Sequence, residues 1–95
     1  MPHLVIEYSS DGHGGLLDVT KLMEAVHDTA AETGAMKAAD IKVRATAFSD
    51  YLVARQSDGF CHVSVYMLEG RTPAQKIAVS ESLRETLAAL LPQTK

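Results

Sequence analysis

Pro2 has the least ordinary chemistry open to any residue of this chain. It follows Met1 directly, so removal of the initiator would leave a reactive secondary amine at the chain terminus. Read alone, it is first of all a tolerated strand start, because it opens the apolar run Leu4, Val5, Ile6 and a proline at that position sacrifices little ladder bonding. Cys61 is the single cysteine; no activating pattern surrounds it, and it reads as a buried, inert thiol. His3 and His62 would suit a metal pair, but no companion ligands stand at zinc spacing, so both are expected to be hydrogen-bonded strand histidines and no metal is expected. His13 and His27 read as loop and helix-surface residues. Gly12, Gly14 and Gly15 follow a strand and precede a helix as in a dinucleotide loop. Leu17 takes the third glycine's place, no acid follows at the required distance, and 95 residues are too few for a dinucleotide domain.

The elements that must carry these residues are legible. Residues 3–8 form an apolar, β-branched run broken by the turn-forming stretch 9–15. Val19, Leu22, Met23, Val26 and Ala30 recur on one helical face, with Asp18 as N-cap and Gly34 just past the end. Residues 40–47 alternate, Ile41, Val43 and Ala45 on one side and Lys42, Arg44 and Thr46 on the other, which predicts a half-buried strand that continues or bends through 51–54. Ser57, Asp58 and Gly59 make a turn, and residues 60–68 alternate again. Residues 72–91 predict a second helix: Thr72 with Gln75 forms a capping box and Pro73 takes the first helical position. Val79, Leu83, Leu87 and Leu90 supply its buried stripe, and Pro92 ends it.

Composition narrows the partners. A chain of 95 residues is one small domain, for which oligomerisation is a natural source of further burial. Hydrophobic residues are 46% and charged residues 22%, ordinary for a folded globular protein. A net charge of −3 with no Lys/Arg run argues against nucleic acid or an anionic membrane as partner. One cysteine and no secretory leader fit a reducing cytoplasm.

An internal repeat organises the single domain 1–95. Laying Pro2, His3, Leu4, Ile6 and Tyr8 over Cys61, His62, Val63, Val65 and Met67 brings a loop and then a helix after each strand. The halves run from about 2–47 and 60–92, and they differ where chemistry would sit: Pro2 stands against Cys61, and Arg71 against Gly12. The stretch Leu68, Glu69, Gly70, Arg71, Thr72, Pro73, Ala74, Gln75, Lys76 resembles the strand-to-helix junction of 4-oxalocrotonate tautomerases. The opening Met1, Pro2, His3, Leu4, Val5, Ile6, Glu7, Tyr8, Ser9 is similar to that of 5-carboxymethyl-2-hydroxymuconate isomerases, as are Thr33-Gly34, the strand from Ile41 to Arg44, and Gly70-Arg71. The resemblance to the tautomerase superfamily spans essentially the whole chain, most weakly over 48–60.

That resemblance implies an α+β fold: two β-α-β-type repeats packed as a sheet with two helices on one face, assembled as a homotrimer. It implies an enzyme without metal or organic cofactor, in which the processed amino-terminal proline is the general base and the substrate is an unsaturated 2-hydroxy di- or tricarboxylate from aromatic-compound catabolism. By position, the base falls on Pro2 and a substrate-binding arginine on Arg71. The family's other arginine aligns with Lys42, a departure that loses the bidentate fork; Arg44, two residues on and therefore on the same face, is placed to supply the missing guanidinium. Members usually extend past the second helix with a further strand, whereas this sequence stops at Lys95; without that strand the second repeat would be incomplete, with an exposed sheet edge and a weaker trimer expected.

The chemistry agrees with that assignment. Moving a proton from an enol oxygen to carbon needs a base that is unprotonated near neutrality, and an α-amine titrates at about 7.7–8.0. Apolar walls such as Leu4 and nearby cations would lower the basicity of a prolyl amine. Lys42, Arg44 and Arg71 would also hold substrate carboxylates and the developing enolate. The competing reading is a catalytically silent oligomeric module that binds a small carboxylate, favoured by Lys42, by the short end and by any retention of Met1.

Overall fold

In the computed structural model, which describes residues 2–13, 17–56, 58–67 and 72–91, the strand opened by Pro2 is the centre of the molecule. This strand, β1 (His3–Ser9), is followed by α1 (Val19–Glu32), a 3₁₀ turn (Ala38–Asp40), β2 (Lys42–Phe48), β3 (Cys61–Tyr66) and α2 (Pro73–Leu90). The sheet order is β2-β1-β3. β1 runs parallel to β2, in register from His3↔Lys42 to Ser9↔Phe48. It is antiparallel to β3, from His3↔Tyr66 to Tyr8↔Cys61. A parallel pair needs a crossover, which α1 provides.

Alternation along the strands divides the sheet into two unlike faces. Leu4 and Ile6 are fully buried, and their cross-strand partners Val43, Ala45, Val63 and Val65 pack with them against the helices. His3, Val5, Glu7, Lys42, Arg44, Thr46, His62, Ser64 and Tyr66 share the opposite face, which no described element covers.

Both helices start as their sequences dictate. Asp18 caps α1 by accepting the Lys21 N–H at 3.1 Å, and Leu22, Val26 and Ala30 form its buried row. Gly34, at φ +76°, carries the chain out of the helix. In the α2 capping box, Thr72 Oγ1 accepts the Gln75 N–H (3.1 Å) while Gln75 Oε1 accepts the Thr72 N–H (2.8 Å). The Thr29 and Thr86 hydroxyls hydrogen-bond at 2.7 Å where the helices meet.

Some expectations shift. The stripe on α2 runs through Val79, Leu83 and Leu87, but beyond it the buried residue is Leu91, the C-cap just past the helix, whose backbone has left the helical conformation (φ −128°, ψ 63°), while Leu90 is 38% exposed. β2 starts after the 3₁₀ turn that absorbs residue 40, and β3 is shorter than the alternation suggested. The 51–54 segment neither continues β2 nor simply bends. Val53 and Gln56 exchange backbone hydrogen bonds (2.8 and 2.9 Å) across Ala54 and Arg55, both at positive φ, a two-residue reversal of the hairpin type.

β1-α1-β2 is a full unit, whereas the outer edge of β3 is unpaired among the described residues. A groove of about 660 Å³ lies between β3 and α2, lined by Cys61, Val63, Val65, Val79, Leu83 and Leu87 among others. Met1, Gly14, Gly15, Ser57, the 68–71 junction that contains Arg71, and Pro92 lie outside the described residues.

Candidate active site

Pro2 is buried, like Leu4 and Ile6 two and four residues on, and unlike the half-buried His3 and Val5 between them. It enters the sheet through its carbonyl, which accepts the Lys42 N–H at 3.1 Å. The one backbone group a proline lacks is thus not required here, and the ring is withdrawn from water at the head of the central strand. Desolvation of this kind disfavours the charged form of an amine.

Lys42 and Arg44 are exposed neighbours on β2. Lys42 Nζ donates to the Asp40 carbonyl at 3.2 Å. Arg44 Nη1 lies 3.0 Å from His3 Nδ1. Guanidinium only donates, so Nδ1 is the acceptor and the His3 proton sits on Nε2. Neither cation has a carboxylate partner among the described residues, and Glu7 lies instead 3.6 Å from His62 Nδ1. The face therefore offers two adjacent positive charges with donors to spare, an arrangement suited to an organic anion. Strand alternation sets these side chains on the face opposite the Pro2 ring, so a single chain holds the proline and the β2 cations on different sides of its sheet.

The remaining residues with chemical potential have structural surroundings. Cys61 is half-buried on the helix side, and burial pushes its thiol up to about 11, so it is a poor nucleophile near neutrality. His3 and His62 have different partners, Arg44 and Glu7. His13 lies in the loop but is 8% exposed, with Nε2 donating to the Ser9 carbonyl at 2.7 Å. His27 is on the surface of α1, with Nδ1 3.0 Å from Asp28 Oδ1 and Nε2 3.0 Å from the Ala38 carbonyl. His3 stands opposite Lys42 in the parallel register, and its contact with Arg44, two residues further along β2, is not visible from the sequence until that register is known.

A mixed three-stranded sheet with both helices on one face and a buried proline opening the central strand is the tautomerase fold, shared with solved structures over nearly the full chain. One, a 5-carboxymethyl-2-hydroxymuconate delta-isomerase, is 25% identical with a TM-score of 0.80, over 97% of this chain and 72% of that one. Another, a 5-carboxymethyl-2-hydroxymuconate isomerase from Deinococcus radiodurans R1, is 22% identical with a TM-score of 0.82, over 96% and 69%. A third, described as the Q0 fused 4-OT wild-type symmetric trimer, is 20% identical with a TM-score of 0.75, over 95% and 74%. No curated protein matches the chain. Residues 2–94 match the 5-carboxymethyl-2-hydroxymuconate isomerase family, and the chain belongs to it. Among the described residues no helix is long and apolar enough to cross a membrane.

Proposed function

We propose that this chain, once Met1 is removed, is a keto-enol isomerase of an unsaturated 2-hydroxy di- or tricarboxylate such as 5-carboxymethyl-2-hydroxymuconate, with Pro2 as general base. The observation that carries the reading is the buried Pro2 at the head of the central strand. Burial disfavours the protonated amine, which leaves a base available near neutral pH. The base takes the proton from the enol oxygen and returns it to carbon at the far end of the diene, so atoms balance within one substrate and no cofactor is called for. The cations stabilise the negative charge that develops on oxygen.

Arg71, Lys42 and Arg44 are the proposed carboxylate ligands. Because the sheet separates Lys42 and Arg44 from the Pro2 ring of their own chain, these two are proposed to serve the Pro2 of a neighbouring copy in a homotrimer. A role in cytoplasmic catabolism of aromatic compounds follows from the substrate class. The alternative reading, a silent module of the same fold that binds a small carboxylate, is favoured by Lys42 where the family carries arginine.

The test follows ketonisation of 2-hydroxymuconate and its 5-carboxymethyl homologue by ultraviolet absorbance, with Met1 removal checked by intact mass. Wild-type turnover is expected, with a drop on the order of 10²- to 10⁴-fold in Pro2→Ala. Fully processed protein that turns over neither compound would rule out the isomerase and leave the binding module.

A further inference from the structure

The contact between His3 and Arg44 is unusual for an exposed arginine, because the acceptor is a neutral imidazole nitrogen rather than a carboxylate (Nη1–Nδ1 3.0 Å). A carboxylate would hold the guanidinium and cancel its charge. A neutral acceptor holds it and leaves the charge whole. Arg carries five N–H donors in a rigid fork, so one engaged by His3 leaves others free for a planar anion. The long side chain otherwise loses rotamer freedom when it grips a ligand, and an existing hydrogen bond removes part of that loss in advance. The surroundings keep the pair intact: Glu7, the acid on β1 that shares this face, is turned toward His62 at 3.6 Å.

We infer that His3 is a positioning residue, whose Nδ1 orients the Arg44 guanidinium toward a carboxylate of the ligand. This rests on the proposed function for the identity of the ligand. Its consequence is specific: loss of the acceptor weakens ligand binding through Arg44 and leaves the proton-transfer step untouched.

The experiment is a cycle of His3→Leu, Arg44→Ala and the double variant, with His3→Asn as rescue, since asparagine places an acceptor on Cγ where histidine has Nδ1. kcat and KM for 2-hydroxymuconate are measured with melting temperatures on the same samples. His3→Leu is expected to raise KM roughly three- to tenfold, the worth of one hydrogen bond, with kcat within twofold. His3→Asn is expected to return KM to near the wild-type value, and His3→Leu to add nothing in the Arg44→Ala background. An unchanged KM, a failed rescue, or an equal effect in both backgrounds overturns the inference. If the wild type shows no turnover, glutarate binding by calorimetry is read across the same proteins. The same pattern in affinity then supports the role of His3 while the isomerase reading falls; no coupling, or no binding, removes the role of His3 as well.

Discussion

The backbones of Gly12 and Gly59 cross so closely that neither residue has room for a Cβ, and the Gly59 N–H donates to the Gly12 carbonyl at 3.2 Å. This crossing ties the loop after β1 to the entry of β3. Ser9 reinforces it: its hydroxyl accepts the Phe60 N–H at 2.9 Å and donates to the Asp11 carbonyl at 2.7 Å. Gly12 also sits at φ +82°, where a side chain is strained whatever the space. Gly12→Ala is therefore expected to destabilise by about 2–4 kcal/mol, combining overpacking with the left-handed penalty. Gly59→Ala should cost about 1–3 kcal/mol from overpacking alone. Urea midpoints at constant m-value measure both; a Gly12→Ala midpoint equal to wild type would mean that the two segments separate without cost.

Lys42 offers a point charge where an arginine would offer a fork. If it binds a substrate carboxylate, Lys42→Arg should lower KM several-fold by adding a second parallel hydrogen bond. Lys42→Ala should raise it by roughly ten- to a hundredfold, the range for a hydrogen bond to a charged group. The wild-type KM should also rise with ionic strength, because the residue is exposed. A KM indifferent to all three changes would leave Lys42 as the solvated face of an edge strand.

The architecture was legible because local signals agreed. Asp18 and Thr72 mark helix starts that the hydrogen bonds reproduce, and alternation around Lys42 and Arg44 gave the correct faces of β2. Contacts between segments distant in sequence were not legible. Nothing around Gly12 points to Gly59, and the crossing exists only once β3 lies antiparallel beside β1. His13 is the loop residue that the sequence suggests, but its burial was not legible, because it bonds the backbone of Ser9, to which composition is blind. Ala54 and Arg55 at positive φ carry no turn signature of the Asn-Gly kind. The α2 stripe departs from expectation only at its end, where Leu90 and Leu91 are chemically identical and burial falls on Leu91, the C-cap residue whose backbone leaves the helix.

Cys61 should be slow to react. With the thiol pushed up to about 11 by burial, the thiolate fraction at pH 7.5 is on the order of 10⁻⁴ to 10⁻³. Alkylation by iodoacetamide is expected to be at least roughly tenfold slower in the folded protein than in urea, and to accelerate as pH rises toward 11. Equal rates folded and unfolded would place the sulfur in water and contradict the half-buried position.

His27 makes stability depend on pH in a definite direction. Its pKa is raised, first by the hydrogen bond to Asp28, then by the one to the Ala38 carbonyl, and least by the Asp28 charge, with a partial offset from burial. Both ring nitrogens face oxygens at 3.0 Å, and only the imidazolium can donate to both; a neutral ring leaves a lone pair against one of them. A folded pKa above the unfolded value of about 6.5 means that the folded state holds the proton more tightly. The extra stability is complete below about pH 6.5 and is lost as pH rises through the raised folded value. The Ala38 carbonyl belongs to the 3₁₀ turn that delivers the chain into β2, so the proton on His27 fastens α1 to the approach to Lys42. Unfolding free energies at pH 5.5 and 8.5 should therefore differ by more in wild type than in His27→Gln, with the wild type favoured at the lower pH. The same difference in both proteins would show that the imidazolium clamp adds nothing to the fold.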